Sequence, residues 1–449
     1  MSADRPINAD VPAPDPPRPE GASAKPDPGA AKNPAPSRRR KRKPVPGALK
    51  AIAALVVVAI VFIVAAVLGG SGGGKSESAA GPAPTPAPMA SDEAAEAPAS
   101  QSAERLGYPS FATGNTTRVG GSDPAANAAA VALAVFPSTT PDQQPAAVTL
   151  VGEEDWAGGI AASVLMAAPV RAPILISGPD GLPDPSAEAL AALDPQGDDA
   201  TNGASAFAIG DVATPDDGKV TRVKAGSPAA GAAAIAALRD RLFGSAPAHV
   251  LIAPSARPDL AMPAAAWAAR SGDPVLFAEG DELPKPTVAA LKRHKQVPVY
   301  VLGPSSAITS KATREIAKIG PEVHRVSGED PVANAIALAR YGDDGFGWNV
   351  NDPGHGFVLA REDSPLDAAA AAPLSASGTW GPLLLTDSAT ALPAALREYF
   401  LDVKPGYTTN PTRAFYNHVW VIGDQEAIDV NQQAEVNELA ELAKIGGEQ

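Results

Sequence analysis

Arg118, Arg222 and Arg325 stand 104 and 103 residues apart. Each sits in a short string, Thr117-Arg118-Val119, Thr221-Arg222-Val223 or His324-Arg325-Val326, that runs into a Gly/Ser-rich turn and a proline (Pro124, Pro228, Pro331). A guanidinium grips phosphate or carboxylate through two parallel hydrogen bonds, so the three are candidate contacts to an anionic polymer. They would serve equally as internal ion pairs that orient the junctions between copies. Asp155, Asp259 and Asp367 recur where a strand hands over to a helix. An aspartate there caps the helix, worth about 1 kcal/mol, or meets a cation or polymer. The last copy adds Trp348 within GDDGFGWNVNDPGHG and an insertion, DVKPGYTTNPTRAFYN, holding Lys404, Tyr407, Arg413, Phe415 and Tyr416. Aromatic faces beside cations suit sugar rings and their anionic groups, although such residues also pack their own loop.

Catalytic chemistry finds little support. The chain has no Cys, which removes thiol nucleophiles, disulfides and thiolate metal sites together. His249, His294, His324, His355 and His418 show no metal-ligand spacing, and no Gly-x-Ser-x-Gly lies between a strand and a helix. Neighbouring acids such as Glu153-Glu154 or Glu362-Asp363 rarely present carboxylates across one glycosidic bond. No enzyme, cofactor or metal site is expected.

Behind these residues the chain is divided by composition. Residues 1–50 carry eleven Lys or Arg against five Asp or Glu, with Pro12, Pro14, Pro16, Pro17 and Pro19 in a stretch too poor in large apolar residues to fold. A disordered cytoplasmic tail is expected. Eighteen apolar residues follow without a charge, Ala51 to Leu68, enough for a helix of about 27 Å. The run Arg38-Arg39-Arg40-Lys41-Arg42-Lys43 precedes it, and basic flanks stay inside. The expectation is one transmembrane helix over 51–70 in a lipid bilayer, with the C-terminal part extracytoplasmic. A signal peptide is the competing reading, but its apolar core is shorter and begins nearer the start. Beside such a helix the basic run indicates topology and anionic lipid rather than nucleic acid. Residues 71–104 read as a flexible, then Pro-stiffened linker. The remaining 105–449 hold 24 Lys or Arg and 40 Asp or Glu, a net −16.

That last segment is a threefold repeat, with copies at 105–218, 219–322 and 323–449. After each proline comes an Ala-rich helical stretch, with Pro at the first position where its missing N–H is harmless. A short apolar strand follows (AAVTLV, HVLIA, GFVLA), then a polar turn and helix, then a Pro-headed strand at Ile174, Val275 and Leu383. The offsets from Val148, Val250 and Phe357 are 26, 25 and 26 residues. A Leu-Pro opens the next helix, and a third strand ends at Gly210, Gly303 or Gly423. Unbroken apolar strands between helices indicate parallel sheets covered on both faces. Copies two and three close on matching helices ending Gly320 and Gly446, whereas copy one runs from Ala213 into TPDDGK and is shortened. The Pro-headed strands are too aliphatic for a water-facing site and belong to the core.

Over about residues 116–449 this pattern resembles the second type of cell-wall-binding repeat, found as three tandem copies in surface and S-layer-associated proteins of Gram-positive bacteria. The likeness rests on the three arginines, the three aspartates and the Pro-headed strands. It departs where Asp123-Pro124, Ser227-Pro228 and Asp330-Pro331 replace the family's Arg-Tyr-x-Thr-Ala segment, and where the terminal Gly-Gly becomes Gly210-Asp211, Gly303-Pro304 and Gly423-Asp424. The resemblance implies an α/β fold of three Rossmann- or toprim-like units in a pseudo-threefold arrangement; repeats of about 100 residues would leave helix faces exposed unless they pack together within one chain, so a monomeric head is expected. It also implies noncovalent attachment to anionic wall polymer or peptidoglycan. The alternative is a membrane-tethered scaffold or solute-binding module for a protein or small ligand.

Overall fold

The computed structural model describes residues 111–377 and 380–446. They lie within one compact unit, Asp92–Gln449. The first stretch runs β1 (Phe111–Ala112), β2 (Thr116–Val119), α1 (Pro124–Val135), β3 (Val148–Gly152), α2 (Trp156–Ala162), β4 (Ile174–Ser177), α3 (Asp184–Leu193) and β5 (Ala206–Ile209). The second is β6 (Val220–Val223), α4 (Pro228–Phe243), β7 (Val250–Pro254), α5 (Pro258–Ala261), α6 (Pro263–Ser271), β8 (Val275–Ala278), α7 (Lys285–Arg293), β9 (Val299–Leu302) and α8 (Ser310–Ile319). The third is β10 (Val323–Val326), α9 (Pro331–Arg340), β11 (Gly356–Arg361), α10 (Pro365–Ala376), β12 (Leu383–Thr386), α11 (Ala394–Asp402), β13 (Gly406–Tyr407), β14 (His418–Ile422), α12 (Val430–Ala440) and β15 (Ala443–Lys444).

The helices start where local chemistry dictates. Asp123, Ser227 and Asp330 each accept from the backbone N–H three residues on (Ala126, Ala230, Ala333), with a proline between at the first helical position. The residues that depart from the family pattern are thus helix caps. Gly152, Pro254 and Arg361 end the central strands, which are buried on both faces.

Each sheet takes a strand from the next copy. The orders are β4-β3-β5-β6, β8-β7-β9-β10 and β12-β11-β14-β2-β1, parallel throughout except for β1. The arginine strand of one copy therefore completes the sheet of the copy before, and β2 closes the series by pairing with β14. The registers are equivalent: Arg222 faces Ala208, Arg325 faces Val301 and Arg118 faces Val421. Just beyond, Gly210, Gly303 and Gly423 turn at φ of +77°, +99° and +93°, a region that favours glycine. Their N–H groups donate to Val223, Val326 and Val119 of the incoming strand.

Helix contacts follow the same cycle. α2, α6 and α10 meet one another, while α4 packs on α2, α9 on α5 and α1 on α10. Small side chains permit the approach: Ala368 to Ala372 are at most 1% exposed, and a Cβ on Gly159 would stand 3.0 Å from that of Ala369.

The expected tail 1–50, spanning helix 51–70 and linker 71–104 lie outside the described residues. Among the described residues no helix is long and apolar enough to cross a membrane. The expected fold class, an α/β body carrying one transmembrane helix, is corrected to the α/β body with its parallel sheets. The expected single-pass location in the cell membrane is corrected on the same finding.

Candidate functional site at the carboxyl ends of the strands

Arg118 is 1% exposed. Its Nε donates to Gln433 Oε1 at 3.0 Å, and its terminal nitrogens donate to the carbonyls of Gly423, Asp424 and Ile428 at 2.9, 2.5 and 2.5 Å. Burial lowers its pKa, partly offset by Asp424 and Asp429. Arg325 repeats this half-buried, donating to the carbonyls of Gly303 and Ile308 at 2.6 and 2.7 Å and to Thr313 Oγ1 at 2.9 Å. Arg222 is exposed and reaches Val212 O at 3.1 Å and Thr214 Oγ1 at 3.0 Å. The gradient has a simple origin. α12 supplies Gln433 over Arg118 and α8 supplies Thr313 over Arg325, whereas no helix separates β5 from β6. The arginines thus clamp each glycine turn to the strand arriving from the next copy.

The aspartates diverge. Asp155 caps α2, accepting from Gly158 N at 2.8 Å. Asp259 receives two nitrogens of Arg257, the shortest contact 2.6 Å. Asp367 is 4% exposed and accepts from Asn127 Nδ2 at 2.8 Å. Desolvation pushes its pKa up to about 6, against the lowering effect of the Asn127 hydrogen bond. Asn127 in turn accepts from Gly121 N through Oδ1. Asn334, at the same place in α9, accepts from Gly328 N and donates to Leu260 O. Sequence reading passed over both asparagines, whose signal was their shared position three residues after the capping proline.

In α4 that position is Gly231, and here a cleft of about 590 Å³ opens. It lies at the ends of β3 and β5 and the start of α4, bordered by Glu153, Glu154, Asp155, Asp211 and Ser227. The connection from β3 leads to β4 on one side and from β4 to β5 on the other, so the cleft occupies the point where strand order reverses. Open α/β sheets bind ligands at such points. Among the described residues no group of three or more His, Asp or Glu is placed to hold a metal ion.

The aromatic and cationic candidates separate. Lys404 Nζ donates to Glu438 O at 2.9 Å, Tyr407 pairs through β13 with Lys444 of β15, and Arg413 ends an exposed turn, Pro411–Arg413. Trp348 lies instead beside Trp267 of α6 and Trp380, in a second cleft of about 370 Å³. Sequence reading singled out Trp348 but not Trp267, Arg270 or Trp380, because three separated segments supply them.

Comparison with curated proteins gives no match. Two solved structures share the fold: Cwp8 from Clostridium difficile, at 20% identity and a TM-score of 0.56, and Cwp6 from the same organism, at 19% and 0.57. Each alignment covers 73% of this chain; they cover 52% of Cwp8 and 48% of Cwp6, so the chain spans about half the length of these relatives. Residues 325–432 match the family described as cell wall binding domain 2, CWB2.

Proposed function

We propose that the chain is a non-catalytic cell-wall-binding protein whose three repeats, 105–218, 219–322 and 323–449, hold wall glycopolymer noncovalently. The match of residues 325–432 to the CWB2 family carries this reading, and the shared fold with Cwp8 and Cwp6 supports it. Contact with an anionic polymer falls to side chains that the fold leaves accessible. Arg222 and Arg413 are exposed, whereas Arg118 and Arg325 spend their donors on backbone carbonyls. A net −16 over 105–449 repels an anionic polymer out to about 8 Å at physiological salt and is screened beyond that, so attraction rests on local contacts.

Mixing the protein with isolated walls and sedimenting them tests the reading. Depletion from the supernatant is expected, and depletion lost after removal of the anionic polymer identifies the ligand class. No depletion from intact walls would refute it. A small-solute-binding module is the second reading, favoured by the cleft at Gly231, and would leave walls unbound.

A further inference from the structure

The geometry points to a second ligand site, at the opposite ends of the strands from the Gly231 cleft, that takes a pyranose carrying an anionic substituent. The slot of about 370 Å³ is formed by Trp267 and Arg270 of α6, Trp348 from the loop after α9, Trp380 from the loop after α10, and His249 and Asp273 just before β7 and β8. The inference takes from the proposed function only the origin of the sugar; the slot's chemistry is read from its own residues.

The floor is built rigidly. Asp273 is 1% exposed and is saturated: Oδ2 accepts from Trp267 Nε1 at 3.0 Å and lies 3.1 Å from His249 Nδ1, while Oδ1 accepts from His249 N at 2.9 Å. Trp267 is thereby locked edge-on to Trp348, with centroids 5.5 Å apart and planes at 82°. The loop holding Trp348 depends on Gly347 at φ +92°, where a Cβ would stand 2.2 Å from Tyr341 O. Trp380 stacks on Trp348 at 6.3 Å and 26°, yet remains 42% exposed. Part of the Trp380 indole is therefore open to solvent at the rim of the slot.

The hydrogen-bonding inventory selects the occupant. The Arg270 guanidinium carbon lies 4.3 Å from the Trp380 ring centroid. Arg270 is exposed, and among the described residues no carboxylate lies within ion-pair distance of it. Asp273, the acid of the slot, is engaged by three donors from His249 and Trp267 and makes no ion pair with Arg270. Trp348 is only 8% exposed and forms the backing against which Trp380 stacks. The slot thus offers exposed indole surface and one accessible cation, while its buried carboxylate is already hydrogen-bonded. A pyranose supplies the complement, with C–H bonds to lie against indole and many acceptor oxygens. A carboxylate or phosphate on it answers the guanidinium bidentately.

The test uses the purified full chain with glucuronic acid, glucose 1-phosphate and glucose as probes, followed by tryptophan fluorescence and by saturation-transfer NMR on the sugar protons. Saturable binding of both acidic sugars is expected, at least about tenfold tighter than glucose, a difference of about 1.4 kcal/mol. Trp380→Ala, at an exposed position, should weaken all three probes. Arg270→Gln should erase the preference for the acidic two. Circular dichroism and melting curves confirm that both variants stay folded. Saturation at neither acidic sugar, native-like binding by folded Trp380→Ala, or a preference that survives Arg270→Gln would overturn the site. Sedimentation with walls, run in parallel, judges the proposed function separately, since walls left unbound beside saturable sugar binding would strike only that reading.

Discussion

Arg118 presents its guanidinium to four oxygens while almost wholly out of water. Removing it leaves three carbonyls unmatched, and a buried group stripped of its partner costs about 1–3 kcal/mol. Arg118→Met should therefore lower stability in denaturant melts by about 3 kcal/mol or more, and Arg222→Met, with two solvent-washed contacts, by less than about 1 kcal/mol. Equal losses would show that burial does not set the role. Asp367 supplies a pH signature. Its folded pKa, about 6, lies above the ordinary 3.8, so the folded state holds the proton more tightly than the unfolded chain. Its favourable term is complete below about pH 4 and is lost as pH rises through about 6, up to about 3 kcal/mol. Asp367→Asn should remove that part of the decline between pH 4 and 7. An unchanged stability profile in Asp367→Asn would place the titration elsewhere.

Elements built from repeating local chemistry were legible in the sequence, and their partners were not. Pro124, Pro228 and Pro331 mark helix starts because each follows an Asp or Ser able to cap and precedes an Ala-rich run, and strands such as VLIAP and LLLT announce burial on both faces. Nothing in the periodicity of Thr116–Val119 indicates that it pairs with His418–Ile422, some 300 residues on. Registers between distant segments depend on closure, which no local window contains. The arginines show the same limit: their spacing was plain, but their burial depends on α8 and α12 arriving overhead. The exchange itself can be tested. Removing residues 1–119 deletes β1 and β2 and bares β14 as an edge, so the remainder should melt at least several degrees lower and associate through that edge. A monomer with native melting would contradict the closing role of β2. Within the helical centre, Ala369→Leu should cost about 1–3 kcal/mol by overpacking against Gly159.

At the scale of the molecule, three sheets, each completed by its neighbour's first strand, hold their helices in one cyclic contact. Among the openings this leaves are the strand-end cleft where Gly231 replaces an asparagine and the tryptophan slot at the other end of the strands. Neither carries a metal-binding cluster among the described residues, and on the proposed function the net −16 over 105–449 confines attraction to short range. Chelation should accordingly leave binding largely intact, whereas Arg222→Ala with Arg413→Ala should weaken it without altering the melting curve by more than a degree or so. Release by chelator and restoration by magnesium would instead assign the attachment to bridging cations. The most direct measurement is the binding isotherm of the protein on isolated cell walls before and after their anionic polymer is stripped. Saturable binding to intact walls that disappears on stripped ones is the expected result; identical isotherms on both, or none on either, would contradict attachment through wall glycopolymer.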